Sequence, residues 1–214
     1  MKKTTLTAFL FGLLSIGSAA AAPFTISMVA DNDFAIFSGT STSINSILYQ
    51  NNVGWPSQIT ALSTLSFTLG AGDDTFYVLG MGGGGFEENI SGEVNGVNMT
   101  DPSVSVSMSS DLSASLAGYS SSLVAAGTYN ASLADVQAAF SGLTWGAPTV
   151  NSSQSVIVAA GFGQGFTFSS NKAHLFSFDA GDVGVEVPEP STLAILGMGL
   201  AGLALRTRRR KLLS

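Results

Sequence analysis

The stretch Phe24-Thr25-Ile26-Ser27-Met28 places an apolar side chain at every second position, with a hydroxyl between. Successive side chains of an extended chain point to opposite faces, so this is a strand with one face in a core and the other in water. The same pattern returns downstream. Leu65, Phe67 and Leu69 alternate with Thr64, Ser66 and Thr68, and Val104, Val106 and Met108 alternate with Ser103, Ser105 and Ser107. Thr75 to Met81, Ser155 to Ala160, Phe162 to Phe168 and Ala173 to Phe178 are further strand candidates. Turn-forming clusters separate them: Gly70-Ala71-Gly72-Asp73-Asp74, Gly82 to Gly85, and Asn95-Gly96. Many short strands with turn signals and no repeat of fixed period predict an all-β fold, an antiparallel β-sandwich.

One helix interrupts the pattern. Leu133, Val136, Phe140 and Leu143 share a helical face, Ser132 is placed to cap it, Asp135 lies in its first turn and Gly142 is placed to end it. The expectation is a short helix over Leu133 to Ser141, packed across one end of the sandwich.

Composition narrows the function. The 214 residues include no cysteine and one histidine, and only 10% are charged, against roughly 25% in an ordinary soluble domain. Disulfides and thiolate chemistry are therefore excluded. The net charge of −6 argues against nucleic acid as a partner, because phosphate binding needs clustered Lys and Arg. The charge is also uneven. Residues 23 to 187 carry 13 acids against Lys172 alone, a net −12, while the other basic residues stand at the two ends.

Both ends read as processing signals. Lys2 and Lys3, the apolar run Leu6 to Ile16 and the small-residue tract Ser18 to Ala22 have the order of a secretory signal helix. Ala19 and Ala21 meet the small-x-small requirement of signal peptidase, which would cut between Ala21 and Ala22. At the other end, Val187-Pro188-Glu189-Pro190 is followed by an apolar segment, Ser191 to Leu205, and then by Arg206, Arg208, Arg209, Arg210 and Lys211. The two prolines break the chain before a helix. Gly197, Gly199 and Gly202 suit a transmembrane helix, and the basic cluster would hold its far end on the cytoplasmic side. The span of about 22 Å is short against a hydrocarbon core of about 30 Å, which weighs against a plain anchor.

This order of motif, short apolar helix and basic tail resembles the PEP-CTERM sorting signal, with the match at Pro188, Glu189 and Pro190 followed by Ser191-Thr192-Leu193. The same tail is also labelled an ice-binding protein C-terminal domain, a label that gives no sign of ice binding in this chain. The resemblance implies a Gram-negative bacterium that makes exopolysaccharide. It also implies an exosortase, a membrane cysteine transpeptidase that cuts near Pro-Glu-Pro, and a precursor held transiently in the inner membrane before passing to the cell surface or outside. The division that follows is signal peptide 1–21, sandwich ectodomain 22–186 and sorting signal 187–214. Within the body, Ala30-Asp31-Asn32-Asp33-Phe34, then Trp55, then Gly70 to Asp74 ahead of a strand, resembles the galactose-binding-like jelly rolls that accompany secreted carbohydrate-active proteins. That resemblance implies a jelly-roll-like sandwich.

Catalysis needs an activated nucleophile, an acid–base pair or a metal. His174, in phase with Phe176 and Phe178, reads as a structural histidine, and no serine sits in a Gly-x-Ser-x-Gly elbow. Asp31 and Asp33, and Asp73 and Asp74, offer oxygens to calcium, although no full calcium loop is present and solvated turn acids are the plainer reading. Glu87, Glu88 and Glu93, beside the Gly-rich run, read as a solvated face. Trp55 and Trp145 are candidate stacking platforms for a sugar ring, with core packing as the alternative. Gly82 to Gly85 lacks the Lys-Ser/Thr of a phosphate loop, and four Asn-x-Ser/Thr sequons carry little meaning in a bacterial setting. The expected protein is no enzyme and holds no resident cofactor. It is an exported surface or matrix protein that associates with exopolysaccharide. The alternatives are a carbohydrate- or calcium-binding module and a secreted hydrolase.

The exported chain should begin at, or within a residue or two of, Ala22. N-terminal sequencing of exported protein checks this, and a start at Met1 overturns it.

Overall fold

The computed structural model describes residues 23–85, 88–153 and 160–185, apart from the side chain of residue 59. The signal segment, the sorting segment from residue 186 onward and the strand candidate Ser155 to Ala160, save its last residue, lie outside these residues. None of the described helices is long and apolar enough to cross a membrane; the Ser191 to Leu205 segment is not among them.

Two antiparallel sheets face each other. The first runs β10 (Thr149–Asn151), β11 (Gly165–Phe168), β6 (Glu88–Val94), β1 (Phe24–Asp31), β4 (Ser63–Phe67), with β7 (Val97–Asn98) paired to β6. The second runs β3 (Ser43–Gln50), β2 (Asp33–Thr40), β5 (Thr75–Met81), β12 (Ala173–Asp179), β8 (Val106–Ser109), β9 (Trp145–Gly146). The chain is therefore an all-β antiparallel sandwich, as the alternation predicts.

The core lies between the sheets. From the first come Phe24, Ile26, Met28, Ile90, Val94, Phe166 and Phe168; from the second come Phe34, Ile36, Phe76, Val78, Phe176 and Phe178. The rings of Phe76 and Phe178 stack at 4.9 Å with 2° between their planes. β1 and β4 show the expected alternation: Ile26 pairs with Leu65 toward the core, and Ser27 with Thr64 away from it. Asn95 and Gly96 form the β6–β7 turn with φ of 50° and 78°. Positive φ at both positions is what a type I′ two-residue hairpin requires, and Asn-Gly is a pair that tolerates it well.

The second sheet departs from the sequence reading. β5 is buried at every position. Its even-numbered side chains enter the core, while Tyr77, Leu79 and Met81 enter a second apolar layer with Ala35, Phe37, Ala173 and Leu175. Two short helices cover that outer face, α1 (Ser121–Ala125) and α2 (Leu133–Phe140), through Val124 and Val136. The helix is where the periodicity puts it, and Ser132 accepts the Asp135 N–H at 3.4 Å. It lies on a face of the sandwich and not across one end, because the apolar odd-numbered positions of β2, β5 and β12 need a cover there. α1 and β3 have no clear signal in the sequence: α1 is five residues long, and β3 is a half-exposed edge strand.

The body's one lysine is used. Lys172 Nζ lies 2.8 Å from Asp111 Oδ2. Partial burial raises the Asp111 carboxyl, but Lys172 and the donors of Ser113 and Ala173 outweigh it and hold the group at about 2.

Phe178→Ala should cost about 3–5 kcal/mol, the usual penalty for emptying a buried aromatic site. Ser66→Ala, on the exposed face of β4, should stay within about 0.5 kcal/mol. Denaturant unfolding measures both, and equal effects would place the core elsewhere.

Candidate functional site

At Asn32 the chain passes from β1 of the first sheet to β2 of the second, and polar groups gather there. The Asn32 side chain is buried; its Nδ2 donates to Glu88 Oε2 at 2.7 Å and to Asp31 Oδ1 at 3.0 Å. The Gly84 N–H donates to Glu88 Oε1 at 3.1 Å. A Cβ on Gly83 would stand 2.0 Å from Asn32 Oδ1, so the glycine run is what lets the loop close over the asparagine. The Tyr119 hydroxyl, 2.9 Å from both Gly82 O and Lys172 O, holds that loop to the second sheet.

Glu88 corrects the sequence reading. It is 2% exposed and lies in β6, in phase with Ile90, rather than on a solvated face. Burial pushes its carboxyl up to about 8, with the Asp31 charge adding to the rise and donors from Asn32, Gly84 and Gly83 opposing it. The group therefore keeps its proton at neutral pH, inside the protein and out of reach of a substrate. The alternation of Glu88 with Ile90 was the available signal, and it was masked by the preceding glycines.

Asp31 and Asp33 are two residues apart but separated by the sandwich. Asp31 is in phase with Val29, on the outer side of the first sheet, where burial raises its carboxyl. Asp33 is in phase with Ala35 and Phe37, on the outer side of the second. It is fully buried, and its Oδ1 accepts the Val53 N–H at 3.3 Å. Burial pushes it up to about 6, against the pull of Val53 and the Gln58 amide. Asp73 and Asp74 lie at the far end of β5, about 20 Å from Met81, the residue paired with Asp33. Asp73 accepts from Ser38 Oγ and Asn45 Nδ2, both at 2.6 Å, and Asp74 from Thr75 Oγ1 at 2.8 Å. The four aspartates are not brought together. Among the described residues, no three of His, Cys, Asp and Glu converge as a metal site would need. His174 sits in β12, 9% exposed, with Nδ1 2.8 Å from Ser109 O.

The two tryptophans differ. Trp55 is 62% exposed in a loop, its backbone N–H donating to Ala125 O at 2.8 Å beside α1. Trp145 is 38% exposed at the edge of the second sheet, its ring 5.8 Å from Phe140 and 6.2 Å from Tyr77. Beside it opens a cleft of about 280 Å³ on the outer face of the second sheet, lined by Tyr77, Thr75, Ser177 and Asp179 together with Ser41, Ser105 and Ser107.

Comparison with known proteins identifies the C-terminal end. Residues 186–210 fit the PEP-CTERM protein-sorting motif. The chain thus carries the signal of an exported protein sorted by an exosortase. No curated protein and no solved structure matches the chain. The residues of the sorting signal, Pro188, Glu189, Pro190, Arg206, Arg208, Arg209, Arg210 and Lys211, and the cleavage residues Ala21 and Ala22, lie outside the described structure.

The raised Glu88 carboxyl fixes a pH dependence. The folded chain holds a proton to about pH 8 that an unfolded chain releases near 4.5. Its contribution to stability is full below the unfolded value and is lost as pH rises through the folded one. Asp33, raised to about 6, has the same sign. Urea midpoints should therefore fall from about pH 5 to about pH 8, and Glu88→Gln, with no proton to lose, should flatten the fall.

Proposed function

We propose that this chain is the precursor of a non-enzymatic protein of the cell surface or extracellular matrix, in contact with exopolysaccharide. The sorting motif at residues 186–210 carries the reading. Signal peptidase removes the leader, and the apolar segment Ser191 to Leu205 holds the precursor in the inner membrane. The basic tail stays in the cytoplasm, because taking five close charges across hydrocarbon is prohibitive. The body waits outside with Pro188-Glu189-Pro190 at the membrane surface, kept extended by its prolines for the exosortase to grip.

A role without catalysis is supported by where the body puts its reactive groups. The histidine is spent on a backbone carbonyl. Glu88 and Asp33, the carboxyls with the highest proton affinity, are enclosed. Several of the remaining described acids are bonded to neighbouring hydroxyls and N–H groups. A net −12 keeps the body away from polyanions, so the fitting matrix partner is a neutral polymer.

Changing Glu189, Pro188 or Pro190 should leave unprocessed precursor in the inner membrane. Mass spectrometry of the mature C-terminus decides the matter. Recovery of peptides from residues 191–205 in surface protein would overturn sorting and leave a plain anchor.

A further inference from the structure

We propose that the cleft beside Trp145 binds a neutral polysaccharide chain, with the indole as stacking platform and the serine-rich floor as hydrogen-bonding surface. This rests on the matrix reading above and gives it a site.

The cleft exists because the helical layer stops short. α2 ends at Phe140, and Phe140 packs edge-on against Tyr77 at 5.5 Å. Beyond Tyr77 the outer-face side chains of β5 and β12 change from apolar to polar. Leu79 and Leu175 lie under the helices, whereas Thr75, Ser177 and Asp179, further along the same strands, line the cleft. The volume of about 280 Å³ lies just below the ~300–1,000 Å³ typical of ligand clefts.

The lining matches a polyol. A hydroxyl both donates and accepts, so a serine surface can pair with sugar hydroxyls in either sense. Among the described residues, the Ser41 and Ser107 hydroxyls have no side-chain partner, and Ser177 Oγ reaches Ser107 O only at 3.4 Å. Asp179 spends Oδ1 on the Gly181 N–H at 2.8 Å, and its side chain stands at the exposed rim. Trp145 adds an apolar face. Phe140 and Tyr77 flank its ring and fix its orientation without covering it. An indole held in place and left open beside hydroxyls suits a ligand with one apolar face and a polar edge, which is the character of a pyranose ring.

Charge selects within that class. No Lys or Arg lines the cleft, and the body's one lysine is paired with Asp111. Uronates, sulfated glycans and phosphates would meet a body of net −12 with nothing to offset the repulsion. The occupant is therefore a neutral hexose polymer.

The test uses the full chain in a sugar-free detergent with Trp55→Phe, so that Trp145 is the only indole. Neutral glucan, galactan and mannan oligosaccharides are titrated beside a polyuronate, with emission as readout. At least one neutral series should shift the emission saturably while the polyuronate does not. Affinity, read by calorimetry, should fall at least about tenfold in Trp145→Ala, the equivalent of one lost stacked ring, and be partly kept in Trp145→Phe. Ser41→Arg, on an exposed turn, should block the cleft without touching the core. The proposal is overturned if no neutral series shifts the emission, if the polyuronate does, or if Trp145→Ala and Ser41→Arg bind as tightly as the parent. An emission change that follows protein concentration instead of sugar overturns it in favour of a second copy of this chain. Co-sedimentation with the producer's own exopolysaccharide tests the matrix reading separately. If parent and Trp145→Ala sediment alike, the association stands and this site falls; if neither sediments while oligosaccharide binding at Trp145 holds, the association falls and the site stands.

Discussion

β5 is buried from Thr75 to Met81 on both of its faces, and the rest of the body is arranged around that constraint. Each buried large apolar side chain contributes about 1.5–3 kcal/mol, but only when something covers it. Phe76 and Val78 are covered by the first sheet; Tyr77, Leu79 and Met81 are covered by the two short helices. A two-layer sandwich would have left that second set in water. The helical layer is thus a consequence of the sequence of β5, together with Ala35, Phe37 and Leu175 on its neighbours.

The extent of that layer also sets where the surface becomes available. On β5 and β12 the apolar positions of the outer face end at Tyr77. Past that point Thr75, Ser177 and Asp179 line the polar cleft beside Trp145. The opposite end of the strands has a different character. There the chain crosses between sheets at Asn32, and the glycine run folds over it and draws Glu88 inside. A buried carboxyl with backbone donors is tolerated because it stays protonated, so this end serves closure while the other faces outward.

The low charge of the chain is unevenly distributed. The basic residues are concentrated at the two processing signals, and the folded part keeps only Lys172, which is paired.

Much of this was legible in the sequence. Alternation at Phe24–Met28 and Thr64–Leu69 marked half-buried strands because side chains repeat every two residues along an extended chain. Leu133, Val136 and Phe140 marked α2 because a helix repeats every 3.6. The sorting signal was legible because it is linear, a motif read by an enzyme and a membrane without any fold. What only the tertiary structure decided is which faces meet. Asp31 and Asp33 look like a pair in sequence, yet one residue at the crossover sends them to opposite sides of the sandwich. Glu88 looked like a loop acid until strand pairing placed it beside Asn32. Trp145 acquired its cleft from Ser41, Ser105 and Ser177, residues scattered over more than a hundred positions. Local periodicity records the direction of each side chain relative to its own strand; long-range pairing alone determines what lies in that direction.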